Sequence, residues 1–205
     1  MLRIFLFLLL WSTAGVTQAA ATIMVFGDSI SAGYGLRQGT GWVDLLQRRL
    51  TSEKYDYKVI NASLTGDTTV GGKNRIGRAL AQSKPDIVIL ELGANDGLRG
   101  ANVETIRANL AAMITECRKR GAKVLLVGMQ LPPNYGSAYT EKFRSAYSSL
   151  AESLRVSLVP FLLEGFAADS GAFQSDGIHP NASVQSRMLD TIWIQLRPML
   201  SRAQH

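Results

Sequence analysis

The sequence predicts a doubly wound α/β domain. Three observations carry that expectation: five apolar runs of strand length, helical spacing between them, and runs that are apolar on both faces. The runs fall at residues 22–26, 58–61, 86–90, 123–128 and 156–160. Ile87-Val88-Ile89-Leu90 has no polar side, as expected of a parallel strand covered by helices above and below. Strands alternating with helices build a sheet wound on both faces.

The helical stretches follow from side-chain spacing. Trp42, Val43, Leu45, Leu46 and Leu50 make one buried face, and Val103, Ile106, Leu110, Met113 and Ile114 a second. A third comprises Phe143, Ala146, Tyr147, Leu150 and Leu154. A fourth runs through Val184, Met188, Leu189, Ile192, Trp193 and Leu196, with Pro180 suited to its first turn. The basic run Arg118-Lys119-Arg120 before Gly121 reads as a helix C-terminus, where cations meet the dipole and glycine caps the chain.

Length and composition bound the rest. The chain has 205 residues, a formal charge of +6, 46% hydrophobic and 19% charged residues, which fits one folded domain and excludes disorder. Basic residues are not interleaved with aromatics, so nucleic acid is not an expected partner. Mild attraction to anionic lipid surfaces stays open. A single cysteine, Cys117, allows neither an internal disulfide nor a cysteine-rich metal site. It sits on a helix as a small apolar residue.

Residues 1–19 read as a secretory signal peptide: Arg3, a short apolar run through Trp11, then small residues up to Ala19-Ala20-Ala21. The apolar stretch is shorter than the ~20 residues that span a bilayer. Cleavage is expected between 19 and 21, after Ala19 by preference, leaving residues 20–205 as one exported domain. No cysteine follows the cleavage site to take a lipid anchor.

In open parallel sheets ligands bind beyond the carboxyl ends of the strands. Those ends here read Gly27-Asp28-Ser29, Asn61-Ala62-Ser63 leading to Gly66-Asp67, and Gly93-Ala94-Asn95-Asp96. Ser29 is a candidate nucleophile at a strand-to-helix turn; a helix cap is the plainer reading, and Ser31 is a rival on the same turn. His179 is the one internal histidine, the other being His205, and Asp176 three residues earlier reaches its ring nitrogen across a short turn. Pro180 keeps His179 extended. Asn95 is suited to aim an amide at a developing oxyanion, or simply to close a turn. Gly66, lacking Cβ, leaves its N–H open to a substrate oxygen or simply supplies a positive φ. The Gly-x-Ser-x-Gly elbow of the α/β-hydrolases is absent.

Gly27-Asp28-Ser29, Gly66, Gly93-x-Asn95-Asp96 and Asp176-x-x-His179 resemble, in order, the four blocks of the SGNH, or GDSL-type, hydrolases. The stretches 91–100, 131–136 and 176–181 are similar to the periplasmic thioesterase I branch, whose members act as acyl-CoA thioesterases, arylesterases and lysophospholipases. The resemblance implies a flavodoxin-like three-layer α/β/α fold with a five-stranded parallel sheet and no metal or organic cofactor. It implies Ser29 as nucleophile, His179 as base oriented by Asp176, and Ser29, Gly66 and Asn95 as the oxyanion hole. Residues 68–73, rich in glycine and small polar side chains, would correspond to a mobile loop. Leu98, Pro132, Pro133 and Tyr135 follow the ends of the third and fourth strands and are candidates for an acyl groove. The expected partners are small acyl esters or thioesters, with transient contact to membrane lipid, and the expected state is a periplasmic or extracellular monomer. Rival readings are a carbohydrate O-acetylesterase, a signalling domain with Asp28 or Asp96 as acceptor, and an exported binding protein.

Overall fold

The computed structural model describes residues 20–202; the expected signal peptide and His205 lie outside the described residues. Five strands form one sheet: β1 (Ala21–Gly27), β2 (Tyr57–Asn61), β3 (Ile87–Glu91), β4 (Lys123–Val127) and β5 (Ser157–Val159). All pairs are parallel and the order is β2-β1-β3-β4-β5. Each expected strand is present, with no end displaced by more than one residue.

Seven helices accompany the strands among the described residues: α1 (Ser29–Ala32), α2 (Trp42–Ser52), α3 (Thr69–Ser83), α4 (Ala94–Leu98), α5 (Val103–Lys119), α6 (Ser137–Leu154) and α7 (Gln185–Leu196). Helices α2 and α7 pack together on one face; α3, α5 and α6 line the other. Central strand β3 is buried along its whole length, and Met24, Phe26, Val88 and Leu126 are fully enclosed between the layers. The chain leaves β1 toward one neighbour, β2, and returns past it to the other, β3. That reversal opens a crevice at the carboxyl end of β1, the usual ligand position in such sheets.

Two expectations are corrected. Residues 68–73 are not a loop. Thr68 caps α3 by accepting from the Gly71 N–H, and Thr69–Lys73 form its first turns. Buried Thr69 ties that end to α4: its N–H donates to Asp96 Oδ2 at 2.8 Å and its hydroxyl to Asp96 Oδ1 at 2.6 Å. Gly72 lets the helix approach the core, since a Cβ there would lie 2.4 Å from Leu92 and 3.1 Å from Met113. Pro180 is likewise not in a helical first turn. It bridges to Phe173, and Asn181 caps a short 3₁₀ turn, Ala182–Val184, before α7 begins.

Candidate active site

Ser29 is the first residue of α1, directly after β1, and the turn is set by Asp28. The Asp28 Oδ1 accepts from the Ile30 N–H at 3.0 Å, capping α1 and leaving the Ser29 N–H outside the helical bonding pattern. Ser29 Oγ lies 2.8 Å from His179 Nε2, and His179 Nδ1 lies 2.7 Å from Asp176 Oδ2. The other Asp176 oxygen accepts from the N–H groups of Ile178 and His179, at 2.9 and 3.0 Å. Gly177, at φ +68°, supplies the left-handed step that folds this four-residue turn back on itself. These backbone and imidazole bonds hold the Asp176 carboxyl down at about 2, so it is an anion at any ordinary pH. The Tyr34 ring packs 4.5 Å from the imidazole centroid.

Gly66 and Asn95 come to the same turn. Gly66 has φ +78° and its N–H donates to no other group among the described residues. The amide of Asn95 donates to Asp28 Oδ2 at 3.1 Å and to the Asp67 carbonyl at 2.9 Å. Those two bonds aim the side chain from α4 across the crevice toward β1. Ser29, Gly66, Asn95, Asp176 and His179 thus converge on one edge of the sheet from four separate connections.

The rival Ser31 turns inward. It is 2% exposed, and its hydroxyl donates to Glu91 Oε2 at 2.7 Å. Asp28 and Asp96 are also buried and committed to hydrogen bonds, which removes them as exposed acceptors. Cys117 is enclosed, and burial pushes its thiol up to about 12. Of the acyl-groove candidates, the Tyr135 hydroxyl donates to the Leu98 carbonyl at 2.9 Å, while Pro132 and Pro133 are exposed beside it. A surface depression of about 470 Å³ around Arg118, Lys123, Arg155 and Met199 lies at the opposite end of the sheet and includes none of these groups.

Two supporting residues, Arg75 and Glu91, escaped the sequence reading, and Asp28 of the first motif takes a supporting role beside them. Arg75, from α3, donates to Asp67 Oδ2 at 2.7 Å, to the Ala62 carbonyl at 2.6 Å and to the Gly27 carbonyl at 3.3 Å, and lies 3.7 Å over the Phe26 ring. It pins the turn that carries Gly66 and the Asp67 carbonyl used by Asn95. Glu91 ends β3 with a fully buried carboxyl that has no ion-pair partner among the described residues. Burial, reinforced by adjacent Asp28, pushes it well above the carboxylate range. Asp28 is lifted by burial to about 6, opposed by the Ile30 N–H. Of Arg75 and Glu91, only Glu91 left a trace in the sequence, as an acid closing a wholly apolar strand.

The chain matches the GDSL-like Lipase/Acylhydrolase family over residues 25–186. It is 51% identical over 182 residues to the esterase TesA of Pseudomonas aeruginosa, covering 89% of this chain and 90% of that one. It is 37% identical over 197 residues to thioesterase 1/protease 1/lysophospholipase L1 of Escherichia coli, covering 96% and 92%. The crystal structure of the psychrotrophic esterase EstA from Pseudoalteromonas superposes with a TM-score of 0.83 at 37% identity, covering 87% and 97% of the two chains. With the family match over most of its length and relatives named as esterases and thioesterases at 37–51% identity, the chain belongs to the GDSL, or SGNH, hydrolases and is an ester and thioester hydrolase.

Proposed function

We propose that Ser29, His179 and Asp176 are the catalytic triad of this hydrolase, and that the N–H groups of Ser29 and Gly66 with the Asn95 amide form its oxyanion hole. The observation that carries this reading is the unbroken line from Ser29 Oγ through the imidazole to Asp176, at 2.8 and 2.7 Å. His179 Nε2 takes the hydroxyl proton as Ser29 Oγ bonds to the acyl carbon. The carbonyl electrons move onto oxygen, where the Ser29 and Gly66 N–H groups meet them, joined by an Asn95 N–H that leaves the Asp67 carbonyl. Collapse expels the alcohol or thiol, which receives the proton from His179, and leaves an acyl-serine. Water, deprotonated by the same nitrogen, attacks next; the acid departs and Ser29 regains its proton. Asp176 stays ionised throughout, stabilising the imidazolium and fixing its orientation.

The substrates proposed are aryl esters, acyl-CoA thioesters and lysophospholipids, with the acyl chain running past Leu98, Pro132, Pro133 and Tyr135. The names of the relatives support these classes. Transient contact with membrane lipid follows from that choice, and the enzyme is read as a monomer exported to the periplasm. Strand β1 begins at Ala21, whose N–H donates to the Asp56 carbonyl at 3.2 Å, so cleavage after Ala19 or Ala20 leaves the sheet intact. Initial rates on 4-nitrophenyl esters from acetyl to palmitoyl, with Ser29→Ala alongside, test the reading. A maximum at medium or long chains that vanishes in the variant is expected. A preference for acetyl would favour sugar deacetylation instead, and an unaffected variant would remove Ser29 from the mechanism.

A further inference from the structure

Ser29 Oγ and His179 Nε2 meet at 2.8 Å from opposite ends of the chain, and the sheet ladder does not set that distance. Ser29 follows β1 and His179 follows β5, strands that β3 and β4 hold apart. Among the described residues no backbone–backbone hydrogen bond joins the connection after β1, residues 28–41, to the connection that carries His179, residues 160–184. Besides the Ser29–His179 contact itself, two side-chain amides make the crossing: Gln174 reaches the Tyr34 carbonyl and Gln185 the Trp42 N–H.

Gln174 stands at the root of the turn that holds Asp176 and His179. Its N–H donates to the His179 carbonyl at 2.8 Å, and its carbonyl accepts from the Gly177 N–H at 2.9 Å. Its side-chain Nε2 donates at 2.8 Å to the Tyr34 carbonyl and at 3.3 Å to that of Pro180. Tyr34 is the residue whose ring lies 4.5 Å from the imidazole centroid, so Gln174 bonds the backbone of both partners in that contact. The approach needs a residue without Cβ beside Tyr34. Gly35, at φ +70°, is that residue, since a Cβ there would collide with the Gln174 side-chain oxygen. Gln185, the first residue of α7, is 2% exposed and makes the second crossing. Its Oε1 accepts from the N–H of Trp42, which opens α2, at 3.0 Å. Its Nε2 donates to the Asn181 and Pro180 carbonyls at 3.1 and 3.4 Å. A carboxamide suits that place because it accepts and donates at once.

We propose that Gln174 and Gln185 are positioning residues for ester hydrolysis, holding the His179 turn against the Ser29 connection at the separation where Nε2 takes the hydroxyl proton. The inference rests on Ser29 and His179 being nucleophile and base. Neither glutamine touches a reacting atom; each acts through the imidazole. Without the Gln174 donor the His179 turn drifts from Ser29, while Asp176, bonded within that same turn, travels with the ring. A misplacement of about 1 Å in such a pair costs on the order of a hundredfold in rate.

Gln174→Met keeps the side-chain length and removes both N–H donors; Gln174→Glu keeps oxygen acceptors and removes the same donors. Each lowers kcat on 4-nitrophenyl butyrate about tenfold or more, with KM within about twofold and thermal unfolding within about 5 °C of wild type. Gln185→Met follows the same pattern with a larger loss of stability, since it strands the buried Trp42 N–H. The double variant with His179→Ala separates positioning from mere support. With no imidazole left to place, Gln174→Met there costs less than about twofold. Wild-type kcat in Gln174→Met and Gln174→Glu overturns the proposal. So does a loss of equal size in the His179→Ala background, which makes Gln174 a structural support only, or a loss confined to KM, which makes it a wall of the substrate site. His179→Ala with wild-type kcat refutes the triad assignment and the proposal with it. A crippled His179→Ala beside an unaffected Gln174→Met refutes the proposal alone.

Discussion

Replacing Glu91 with Gln isolates the cost of a carboxyl placed where it cannot ionise. Glu91 Oε2 accepts from the Ser31 hydroxyl and, at 3.4 Å, from the Asp28 N–H, whereas Oε1 has no partner and the carboxyl no ion pair among the described residues. The group is enclosed beside Asp28, so the folded chain keeps its proton far above the usual carboxylate range. The unfolded chain gives that proton up near about pH 4.3. Because the folded value is raised, the contribution of Glu91 is full below the unfolded value and is lost as pH climbs toward the folded one. The slope in that window is about 1.4 kcal/mol per pH unit. As pH climbs through that window wild type therefore loses stability that Glu91→Gln does not. The Asp28 carboxyl, raised to about 6, adds a similar slope below that pH, but it is present in both proteins. Any misfit of the new amide shifts the whole curve without tilting it. Urea unfolding at a series of pH values measures the difference, which at a slope of ~2 kcal/mol per molar amounts to a midpoint divergence of about 0.7 M per pH unit inside that window. Parallel pH dependences would refute the reasoning, since they would mean that Glu91 is ionised or hydrated in the fold.

Asn95→Ala removes one oxyanion donor, so turnover falls by about 10²–10³ with little change in stability; activity above about a tenth of wild type would exclude that role. Asp28→Asn keeps an oxygen for the Ile30 N–H but sets an amide against that of Asn95, so kcat drops at least about tenfold. At pH 7 the same variant is no less stable in denaturant than wild type, because a buried carboxylate has been neutralised. Gly72→Ala forces a methyl to within 2.4 Å of Leu92, and thermal unfolding reports a loss of about 1–3 kcal/mol. Leu98→Ala combined with Pro133→Ala shifts the optimum chain length on 4-nitrophenyl esters; an unchanged profile removes both from the acyl groove.

Arg75 and Asp28 together explain how a shallow set of turns stays in register. Arg75 fastens Asp67 and the Gly27 and Ala62 carbonyls, so the turn bearing Gly66 is held to the ends of β1 and β2. Asp28 caps α1 with one oxygen and orients Asn95 with the other. Asp96 then fastens α4 to α3 through Thr69, a bond that Asn109 extends by donating to the Thr69 hydroxyl at 3.2 Å. A site assembled from four connections thereby rests on side-chain bonds between them more than on any one loop.

The sequence by itself determined the fold class and picked out five positions that the fold brings to one edge. Strands such as β3 are apolar on both faces and admit one environment, and Ser29, Gly66, Asn95, Asp176 and His179 stand in local turn motifs whose spacing survives in one dimension. Asp176 and His179 could be joined on paper because a three-residue turn settles their contact. Tertiary structure alone decided what crosses between connections: Arg75 tying the turn after β2 to the end of β1, the Asp28–Asn95 bond over 67 residues, and Ser31 turned toward Glu91 instead of solvent. It also decided that residues 68–73 coil. Thr69 and Gly72 carry no apolar signature, and their helix is stabilised by partners in α4 and β3–α5 packing that no local pattern contains. Periodicity records which face of an element is buried; hydrogen bonds between distant polar groups leave no period to read.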